Sequence, residues 1–592
     1  MRSLLVRRLG IVAAMLVASS GCAPSGSLAP PAGSITVRAA AEQFRVLDLY
    51  PGVTATLVAP TRLDLDQRVD VILYALPNGN TTAETIGGTV GEGTTWRYDI
   101  QHIGAQTRAL RARGMEQAVV VYVEADSKSW PEWRRRMGYQ HANRRIVELV
   151  DQIRSQFGPG MTLDVTLAAH SGGGSFIWGF IEGQDSLPSW LTRIAFLDAN
   201  YSFEPRHGDR IMQWLGGASA RTLVVVAYDD REILLDGKKV VSDSGGTWRA
   251  THRMISHLET AMPIVRDTLG DFIRFAGSQM EVLLHPNPDN RILHTEVIGE
   301  MNAYMHAILT RRGGRANDPG VLGAPRAYAQ WVDASVVLPT AVPPAIPERR
   351  VGALTGSAFV ASVAGLPREA REAAILRELL AGNVPQFLRT LQRVQTTAPR
   401  PGGGVDSISF DVMPDYLAIG SDTDFVRMPM TPQTAQAFCD AFGFVLPTAR
   451  MAGLIWAAAS VQLEPRPLTS EREAPATFLQ HHRIIEAQLA GQRRGMLVAG
   501  MKKDIVVTSR LTERADRVAI FGWHQLSGEP IQSLYVGHVG WYVDYSHGAR
   551  PIRRVVIVNG VARTYEAILA DSTQAGLLSD EGVISIPRYV HE

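Results

Sequence analysis

Five apolar runs in the first half of the chain, rich in β-branched residues, alternate with amphipathic segments and constrain the fold most strongly. VDVILYALP (Val69–Pro77) and AVVVYVEAD (Ala118–Asp126) come first, and LDVTLAAHS, RIAFLDAN and RTLVVVAYDD follow. Continuous apolar runs of this length are typical of strands buried on both faces of a sheet. Between the second and third runs, Ile146, Leu149 and Ile153 recur at helical spacing. We therefore predict an α/β fold with a mostly parallel sheet and helices on both faces.

The length of the chain predicts more than one domain, because 592 residues exceed what one hydrophobic core covers. Strand–helix alternation extends over residues 35–311. Residues 312–353 are Pro-rich and lack periodicity, so we interpret them as a semi-rigid linker. Residues 354–592 begin with helical sequence, LPREAREAAILRELLAGNVPQFLRTLQRV, and continue with strand- and turn-rich sequence. We predict a separate α+β module there.

The first 22 residues resemble an export signal that is not part of the fold. Three arginines precede an apolar segment, Leu9–Ala18, which is too short to remain as a transmembrane helix. Small residues before Cys22 resemble a bacterial lipoprotein cleavage site, which would leave Cys22 lipidated and residues 23–34 as a flexible tether. Ser19 departs from that pattern, so ordinary signal-peptidase cleavage near Ala23 is the alternative. Both routes predict an exported, periplasmic or cell-envelope protein, whose only membrane anchor is the possible lipid.

Composition and charge exclude several classes of function. Hydrophobic residues make up 45% and charged residues 20%, which is ordinary for a globular protein. The formal net charge of +1 predicts no nucleic-acid partner. Cys439 is the only cysteine besides Cys22, so we expect no disulfide within the exported chain. Cys439 lies in sequence typical of a helix interior, and we interpret it as a buried, inert thiol. We expect no cofactor.

The stretch LAAHSGGGSF (Leu167–Phe176) carries the candidate nucleophile. Ala169 and Gly173, two residues before and two after Ser171, are small, as a sharp strand-to-helix turn requires. At such a turn the amide of Gly172 lies at a helix N-terminus, where it can donate to an oxyanion. We predict that Ser171 is a nucleophile; the alternative is a helix-entry loop with an ordinary serine.

Two further features belong to this predicted turn. A second oxyanion donor is expected from the backbone amides of Asn78, Gly79 and Asn80, which follow the first apolar run. The alternative there is an ordinary Asn-Gly turn. His170 could contact substrate or orient the turn, but we favour a packed, hydrogen-bonded histidine.

The partners of Ser171 follow it in the order acid, histidine. VVVAYDDRE ends a predicted strand with Asp229 and Asp230, and His294 lies directly before a helical segment. His294 would accept the Ser171 proton and return it to the leaving group, while the acid orients the imidazole. We favour Asp230 as the acid, and Asp198, at the end of AFLDAN, is the alternative.

Together, A-H-S-G-G, the strand–helix order and His294 resemble the α/β-hydrolase superfamily over residues 35–311. The resemblance implies the α/β-hydrolase fold and a serine hydrolase that cleaves an ester or amide through an acyl-enzyme. It leaves the class (esterase, lipase or peptidase) and the substrate, a small molecule or a polymer, undetermined. The main rival function is a catalytically inactive cell-envelope binding protein on a hydrolase scaffold.

The second half of the chain contains a different candidate site. His524, His538, Asp544 and His547 could form a metal site or an acid–base site, although their spacing matches no strong metal signature. The segments LPTARMAGLIW, KKDIVV, GWH and DYSHG resemble a module of unknown function found in other exported bacterial proteins. A binding or structural role is preferred. The alternative is that this module holds the main active site and hydrolyses an envelope polymer.

Overall fold

The computed structural model describes most of the chain beyond the N-terminal segment. The described residues are 36–37, 42–49, 51–64, 67–91, 94–157, 161–235, 237–312, 321–322, 325–333, 336, 338–399 and 403–589. The predicted signal segment, Cys22 and the tether over residues 23–34 lie outside them. No helix in the described ranges combines the length and the apolar character needed to cross a membrane.

An eleven-stranded sheet forms the centre of the first half. Its strands in chain order are β1 (Thr36–Val37), β2 (Glu42–Leu49), β3 (Val53–Pro60), β4 (Val69–Ala75), β5 (Val119–Ala125), β6 (Leu163–His170), β7 (Leu191–Leu197), β8 (Thr222–Tyr228), β11 (Val265–Leu269), β12 (Phe272–Ala276) and β13 (Met280–His285), with β9 (Leu234–Leu235) and β10 (Lys238–Lys239) pairing separately. All five predicted apolar runs are strands of this sheet.

The middle of the sheet is parallel and its edges are antiparallel. The spatial order is β1-β2-β3-β5-β4-β6-β7-β8-β13-β12-β11. The six strands from β5 to β13 in that order run parallel to one another. Their carboxyl ends therefore meet at one edge, where the loops after β4, β6, β7, β8 and β13 gather. This edge carries the candidate site.

Helices cover both faces of this sheet. They are α1 (Thr82–Ile86), α2 (Ile103–Arg111), α3 (Trp130–Met137), α4 (Tyr139–Ser155), α5 (Gly174–Glu182), α6 (Pro205–Gly216), α7 (Thr247–Leu258), α8 (Glu296–Gly299) and α9 (Ala303–Leu309). Residues of α3 to α7 pack on one face and residues of α2, α8 and α9 on the other. Within β4, Val71 and Leu73 face the first group, whereas Ile72 and Tyr74 face the second. The predicted α/β-hydrolase fold class, a mostly parallel sheet with helices on both faces, is confirmed.

The helical segment predicted directly after His294, EVIGEMNAYMHAILTRR, is broken into α8 and α9. Asn302 between them adopts a φ of 55°, in the left-handed region, which ends one helix before the next begins. Its side-chain oxygen accepts a hydrogen bond from the amide of Ala327 at 2.8 Å. The residue at the break thus contacts a segment distant in the chain, which local periodicity does not reveal.

The described parts of residues 312–353 lie against the first half of the chain. Tyr328 is fully buried and its hydroxyl donates to the carbonyl of Gly299 at 2.6 Å. Val342 exchanges backbone hydrogen bonds with Val46 and Asp48 of β2, each 3.0 Å long. This Pro-rich segment therefore runs along the sheet before the chain enters the second half.

The second half is an α+β arrangement with its own hydrophobic core. Its elements are α10 (Gly356–Val363), α11 (Arg368–Leu380), β14 (Gln392–Pro399), β15 (Val405–Val412), β16 (Ala418–Gly420), β17 (Phe425–Arg427), α12 (Pro432–Phe442), β18 (Phe444–Val445), α13 (Ala449–Ala458), β19 (Val461–Gln462), α14 (Pro475–Gln488), β20 (Val498–Ala499), β21 (Lys503–Ile505), β22 (Ile520–His524), β23 (Pro530–Tyr535), β24 (His547–Gly548), β25 (Ile552–Val558), β26 (Val561–Thr564) and α15 (Tyr565–Ala570). The larger sheet joins β14, β15, β25, β18 and β26, and a four-stranded sheet has the order β23-β22-β21-β24.

The helical sequence predicted at the start of this half ends earlier than expected. α11 stops at Leu380, because Gly382 adopts a φ of 78° and Pro385 follows it. From Gln392 the chain is already β14, paired with β15 over its whole length. Tertiary pairing outweighs the helical pattern of the local sequence here.

Candidate functional site

Ser171 lies at a strained turn between β6 and α5. Its φ of 54° is in the left-handed region, which side chains other than glycine rarely adopt. A single 3₁₀ turn, Ser171–Gly173, joins the strand to the helix. A Cβ added at Gly173 would lie 2.3 Å from the carbonyl oxygen of Ala75, and one at Gly174 would lie 1.7 Å from that of Ala199. Two glycines therefore let the turn approach its neighbours and present the serine outward.

His294 pairs with Asp198, which corrects the preference for Asp230. The Nδ1 of His294 and Oδ2 of Asp198 form a short hydrogen bond. Asp198 directly follows β7, is 1% exposed, and has a φ of 49°. Its other oxygen accepts a hydrogen bond from the hydroxyl of Thr247. β7 adjoins the strand that carries Ser171, whereas Asp230 follows β8, one strand further away.

Asp230 instead accepts a hydrogen bond from the first residue of α7. Its Oδ2 accepts the backbone N–H of Thr247 at 2.8 Å, while Oδ1 has no hydrogen-bond partner among the described residues. Burial and the negative charge of Asp198 raise the pKa of Asp230 to about 6. The carboxylate of Asp229 pairs with Arg231 at 2.6 Å, and among the described residues it forms no hydrogen bond with His294. Thr247 thus bonds to both acids, through its hydroxyl to Asp198 and its amide to Asp230.

His170 is packed and hydrogen-bonded, and its two bonds fix its tautomer. Its Nε2 lies 2.9 Å from the backbone carbonyl oxygen of His294, which only accepts, so Nε2 carries the proton. Nδ1 then accepts from Nε2 of Gln101 at 3.0 Å, and Oε1 of Gln101 accepts from the Tyr74 hydroxyl at 2.9 Å. Burial and the adjacent His294 lower the pKa of His170 well below its usual value, so the ring is neutral.

Two residues of this hydrogen-bond chain, Tyr74 and Gln101, were not predicted from the sequence. Tyr74 lies in the apolar run of β4, and Gln101 lies in a loop before α2, 69 residues before His170. A polar hydroxyl in a strand buried on both faces is the one signal that could have indicated a partner, because buried hydroxyls need one.

The oxyanion donors differ in part from the prediction. The amide of Gly79 donates to the carbonyl of Lys128 at 2.8 Å, and that of Asn80 donates to Pro77 at 3.4 Å. These two amides already have acceptors, so the prediction that they bind an oxyanion is wrong. The side chain of Asn78, however, lies over Gly172. A Cβ at Gly172 would be 2.1 Å from Oδ1 and 2.5 Å from Nδ2 of Asn78.

A cleft of about 950 Å³ opens beside Ser171. Its lining includes Asn78 and Gly172, the aromatic residues Tyr139, Trp178 and Tyr201, and the charged residues Arg134, Glu182 and Arg206. The charges are paired internally. Arg134 donates to Glu182 at 2.7 Å, and Arg206 does so at 3.1 Å. Burial raises the pKa of Glu182, but the hydrogen bond from His207 and the charge of Arg134 lower it to about 2. The cleft therefore offers a polar, charge-balanced wall to a substrate.

The four residues of the second candidate site are separated into two groups. Asp544 and His547 lie 4.0 Å apart between Oδ1 and Nε2, and Tyr542 stacks on His538 at 4.3 Å. His524 instead stacks on Trp456 at 5.5 Å, and in the described part of the chain it makes no hydrogen bond or ring contact with the other three. The prediction that all four form one site is therefore wrong. The described residues include no group of three or more His, Cys, Asp or Glu side chains placed to hold a metal ion.

Cys439 lies in α12 and is fully buried, and burial raises the pKa of its thiol. A buried thiol of raised pKa is a poor nucleophile.

Comparison with known proteins gives fold likenesses only. No family model matches the chain, and no curated protein matches it. Among solved structures, a mutant of the feruloyl esterase module from Clostridium thermocellum complexed with sinapinate is similar at 10% identity, covering 51% of this chain and 95% of its own, with a TM-score of 0.29. A siderophore hydrolase from Aspergillus nidulans is similar at 12% identity, covering 45% and 94%, with a TM-score of 0.25. A putative carboxylesterase from Lactobacillus plantarum is similar at 13% identity, covering 42% and 85%, with a TM-score of 0.23. Identities of 10–13% and TM-scores of 0.23–0.29 indicate nothing about the activity of this chain.

Proposed function

We propose that the first half of the chain is a serine hydrolase that cleaves an ester or amide through an acyl-enzyme. The pairing of His294 with buried Asp198, beside a serine held at a strained turn, carries this proposal. A carboxylate on Nδ1 fixes the tautomer that leaves Nε2 free to take a proton. It also stabilises the imidazolium that forms. The paired acid argues against an inactive binding protein, for which no acid beside His294 would be needed.

In the proposed reaction, the Ser171 oxygen attacks the substrate carbonyl while Nε2 of His294 takes its proton. The oxyanion of the tetrahedral intermediate accepts hydrogen bonds from the amide of Gly172 and from Nδ2 of Asn78. The intermediate then expels the alcohol or amine, which receives the proton from His294. Water hydrolyses the acyl-enzyme by the same route and restores the Ser171 hydroxyl.

The Ser171 hydroxyl and the His294 ring form no hydrogen bond with each other in this structure, although both residues are described. Rotation of the serine side chain or a small shift of the ring has to complete the contact. Catalytic hydrogen bonds commonly tighten only when substrate is bound. The polar wall of the cleft next to Ser171 supplies groups that would hold a substrate while this happens.

Labelling of the purified full chain with a fluorophosphonate probe tests the proposal. The wild type is expected to incorporate one probe, and Ser171→Ala is expected to incorporate none. Ser202→Ala is the matched control, because Ser202 lines the same cleft and also has a positive φ, 65°. An unlabelled wild type, or a Ser171→Ala variant labelled like the wild type, would refute the nucleophile assignment. Turnover of p-nitrophenyl acetate and of an anilide then separates esterase from amidase activity.

We also propose that the chain is exported and that Cys22 is lipidated. The basic segment, the apolar segment and the small residues before Cys22 support this. Expression with radioactive palmitate is expected to label the wild type in the membrane fraction. Cys22→Ser should abolish the label, and Cys439→Ser should leave it unchanged. Unlabelled wild-type protein in the soluble periplasmic fraction would instead support ordinary signal-peptidase cleavage.

A further inference from the structure

The four-stranded sheet of the second half brings Lys503 and His547 side by side. β21 lies between β22 and β24, and it pairs with β24 in parallel register, with Lys503 opposite His547. Paired residues on neighbouring strands point to the same face of a sheet. Asp544, three residues before His547, lies 4.0 Å from its ring nitrogen. The sequence pattern indicated Asp544 and His547 but not Lys503.

The hydrogen bonds to the Asp544 carboxylate come from groups other than Lys503. Its Oδ1 accepts from the amide of Ser546 at 2.8 Å and from the hydroxyl of Ser546 at 2.5 Å. Its Oδ2 accepts from Arg472 at 2.5 Å and from the hydroxyl of Tyr542 at 3.1 Å. Burial raises the pKa of Asp544, but nearby His547 and the Ser546 hydrogen bonds lower it below its usual value. The acid is therefore ionised, and Arg472 balances its charge.

The side chains of Lys503 and His547 have no hydrogen-bond partner among the described residues, and both ring nitrogens of His547 are buried. Lys503 is 7% exposed, and its ammonium forms no hydrogen bond or ion pair with any described residue. The ring of Trp523 lies 5.1 Å from the ammonium, and the negative charge of Asp544 also acts on it. His547 is 0% exposed, and neither ring nitrogen has a hydrogen-bond partner within the described chain. Polar groups lose their hydration on burial, so leaving both ring nitrogens of His547 without partners destabilises the fold unless something else binds them.

The surroundings of Lys503 indicate where a ligand would enter. Arg472 keeps 42% of its side chain exposed, and His538 is partly exposed, so the cluster reaches the surface on this side. The ring of Tyr542 lies between the rings of His538 and His547, with centroid distances of 4.3 Å and 5.7 Å. Trp523 adopts a φ of 55°, a conformation that costs energy for an aromatic residue. Strained, partnerless groups of this kind are more common at functional sites than in packing cores.

We propose that Lys503, His547 and His538 bind an anionic group of a ligand, a carboxylate or a phosphate, that enters from the Arg472 side. Arg472 is paired with Asp544, so Lys503 supplies an ammonium that no described carboxylate contacts directly. Burial lowers the pKa of His547 to about 4, so its neutral ring donates one N–H to the anion. Buried ammonium and imidazole donors are the groups that recognise such oxygens. This site is independent of the serine hydrolase proposed for the first half.

Calorimetric titration of the purified full chain tests the site, with inorganic phosphate in one arm and acetate in the other at constant ionic strength. Saturable binding of either anion is expected, and Lys503→Met should weaken it about tenfold or more. Lys238→Met is the matched control, because Lys238 is an exposed lysine of the first half and its loss changes the net charge equally. This control should bind like the wild type. The arm that binds identifies the anion as phosphate or carboxylate.

Two results would overturn the proposal: no saturable binding in either arm, or binding by Lys503→Met that equals the wild type. Should Lys503→Met fail to give a native circular dichroism spectrum, His538→Gln replaces it, because that ring is partly exposed. His538→Gln is expected to weaken binding several-fold while the melting temperature stays unchanged without ligand. Bound anion should also raise the melting temperature of the wild type and leave that of the affected variant unchanged.

Discussion

Replacement of each of the two buried acids by asparagine separates their roles. Asp198→Asn keeps the shape of the side chain but removes the charge that holds His294, so kcat should fall roughly 10³–10⁴-fold. Asp230→Asn leaves the His294–Asp198 pair intact, and an Asn oxygen still accepts the amide of Thr247. The kcat of Asp230→Asn should stay within about threefold of wild type, because the substitution leaves Ser171, His294 and Asp198 in place. An Asp230→Asn variant as inactive as Asp198→Asn would contradict the assignment of Asp198 as the single catalytic acid.

The same Asp230→Asn variant should change how stability depends on pH. Folding raises the pKa of Asp230 from its ordinary value of 3.8 to about 6, which corresponds to about 3 kcal/mol. Because the folded pKa is raised, the folded state favours the protonated acid. Below the unfolded pKa near 4, Asp230 does not reduce the free energy of unfolding. As the pH rises from 4 towards 6, ionisation of Asp230 lowers that free energy progressively. Above pH 6 the free energy of unfolding stays reduced by the full amount of about 3 kcal/mol.

Asparagine cannot ionise, so Asp230→Asn avoids this cost. Relative to wild type, the variant should gain about 2 kcal/mol more at about pH 8 than at about pH 4.5. For a domain of this size that difference corresponds to roughly 4–8 °C in melting temperature. Scanning calorimetry of both proteins at the two pH values measures it, and any pH-independent effect of the substitution cancels. An equal difference between variant and wild type at both pH values would refute the raised pKa and the electrostatic coupling to Asp198.

Three further substitutions address the remaining parts of the candidate site. Asn78→Ala should lower kcat about 10²–10³-fold with little change in KM, because an oxyanion donor acts mainly in the transition state. Steady-state kinetics on p-nitrophenyl acetate measure both constants. An unchanged kcat would exclude the Asn78 side chain as an oxyanion donor. Gln101→Leu removes the donor to His170 and should lower kcat about tenfold. The fluorophosphonate should still label Ser171, but more slowly. A labelling rate equal to wild type would show that the hydrogen-bond chain does not position His294 relative to Ser171. Thr247→Val removes the hydroxyl that bonds to Asp198 and should reduce kcat/KM about tenfold, with an altered acid limb in the pH–rate profile as the distinguishing signature.

The sequence predicted the sheet well because buried parallel strands have a strong local signature. Val69–Pro77 and Ala118–Asp126 each contain a strand only slightly shorter than the apolar run itself. Ala169 and Gly173 indicated the turn around Ser171, since close packing there depends on small residues that are visible in the sequence. The catalytic roles themselves stay predictions.

The choice between Asp198 and Asp230 could not be made from the sequence. Both acids lie at the carboxyl ends of neighbouring parallel strands, and both fall between Ser171 and His294 in the chain. What separates them is α7, whose first amide draws Asp230 away from the histidine. The sequence could not show that His524 lies apart from the other three residues of the second candidate site either. Its side chain lies on a short strand with a register shift, and the register decides which face the side chain occupies.

His170 connects the candidate nucleophile, Ser171, to the candidate base, His294, so that the two form one structural unit. The residue is covalently joined to Ser171, and its ring holds the carbonyl of His294, 124 residues further along the chain. A displacement of the serine turn therefore also displaces the loop that carries His294. The His170 side chain links the two, so it limits how far the distance between Ser171 and His294 can vary. A designer who grafts this serine turn onto another scaffold would have to move Gln101 and Tyr74 with it, because without them the imidazole loses its fixed orientation.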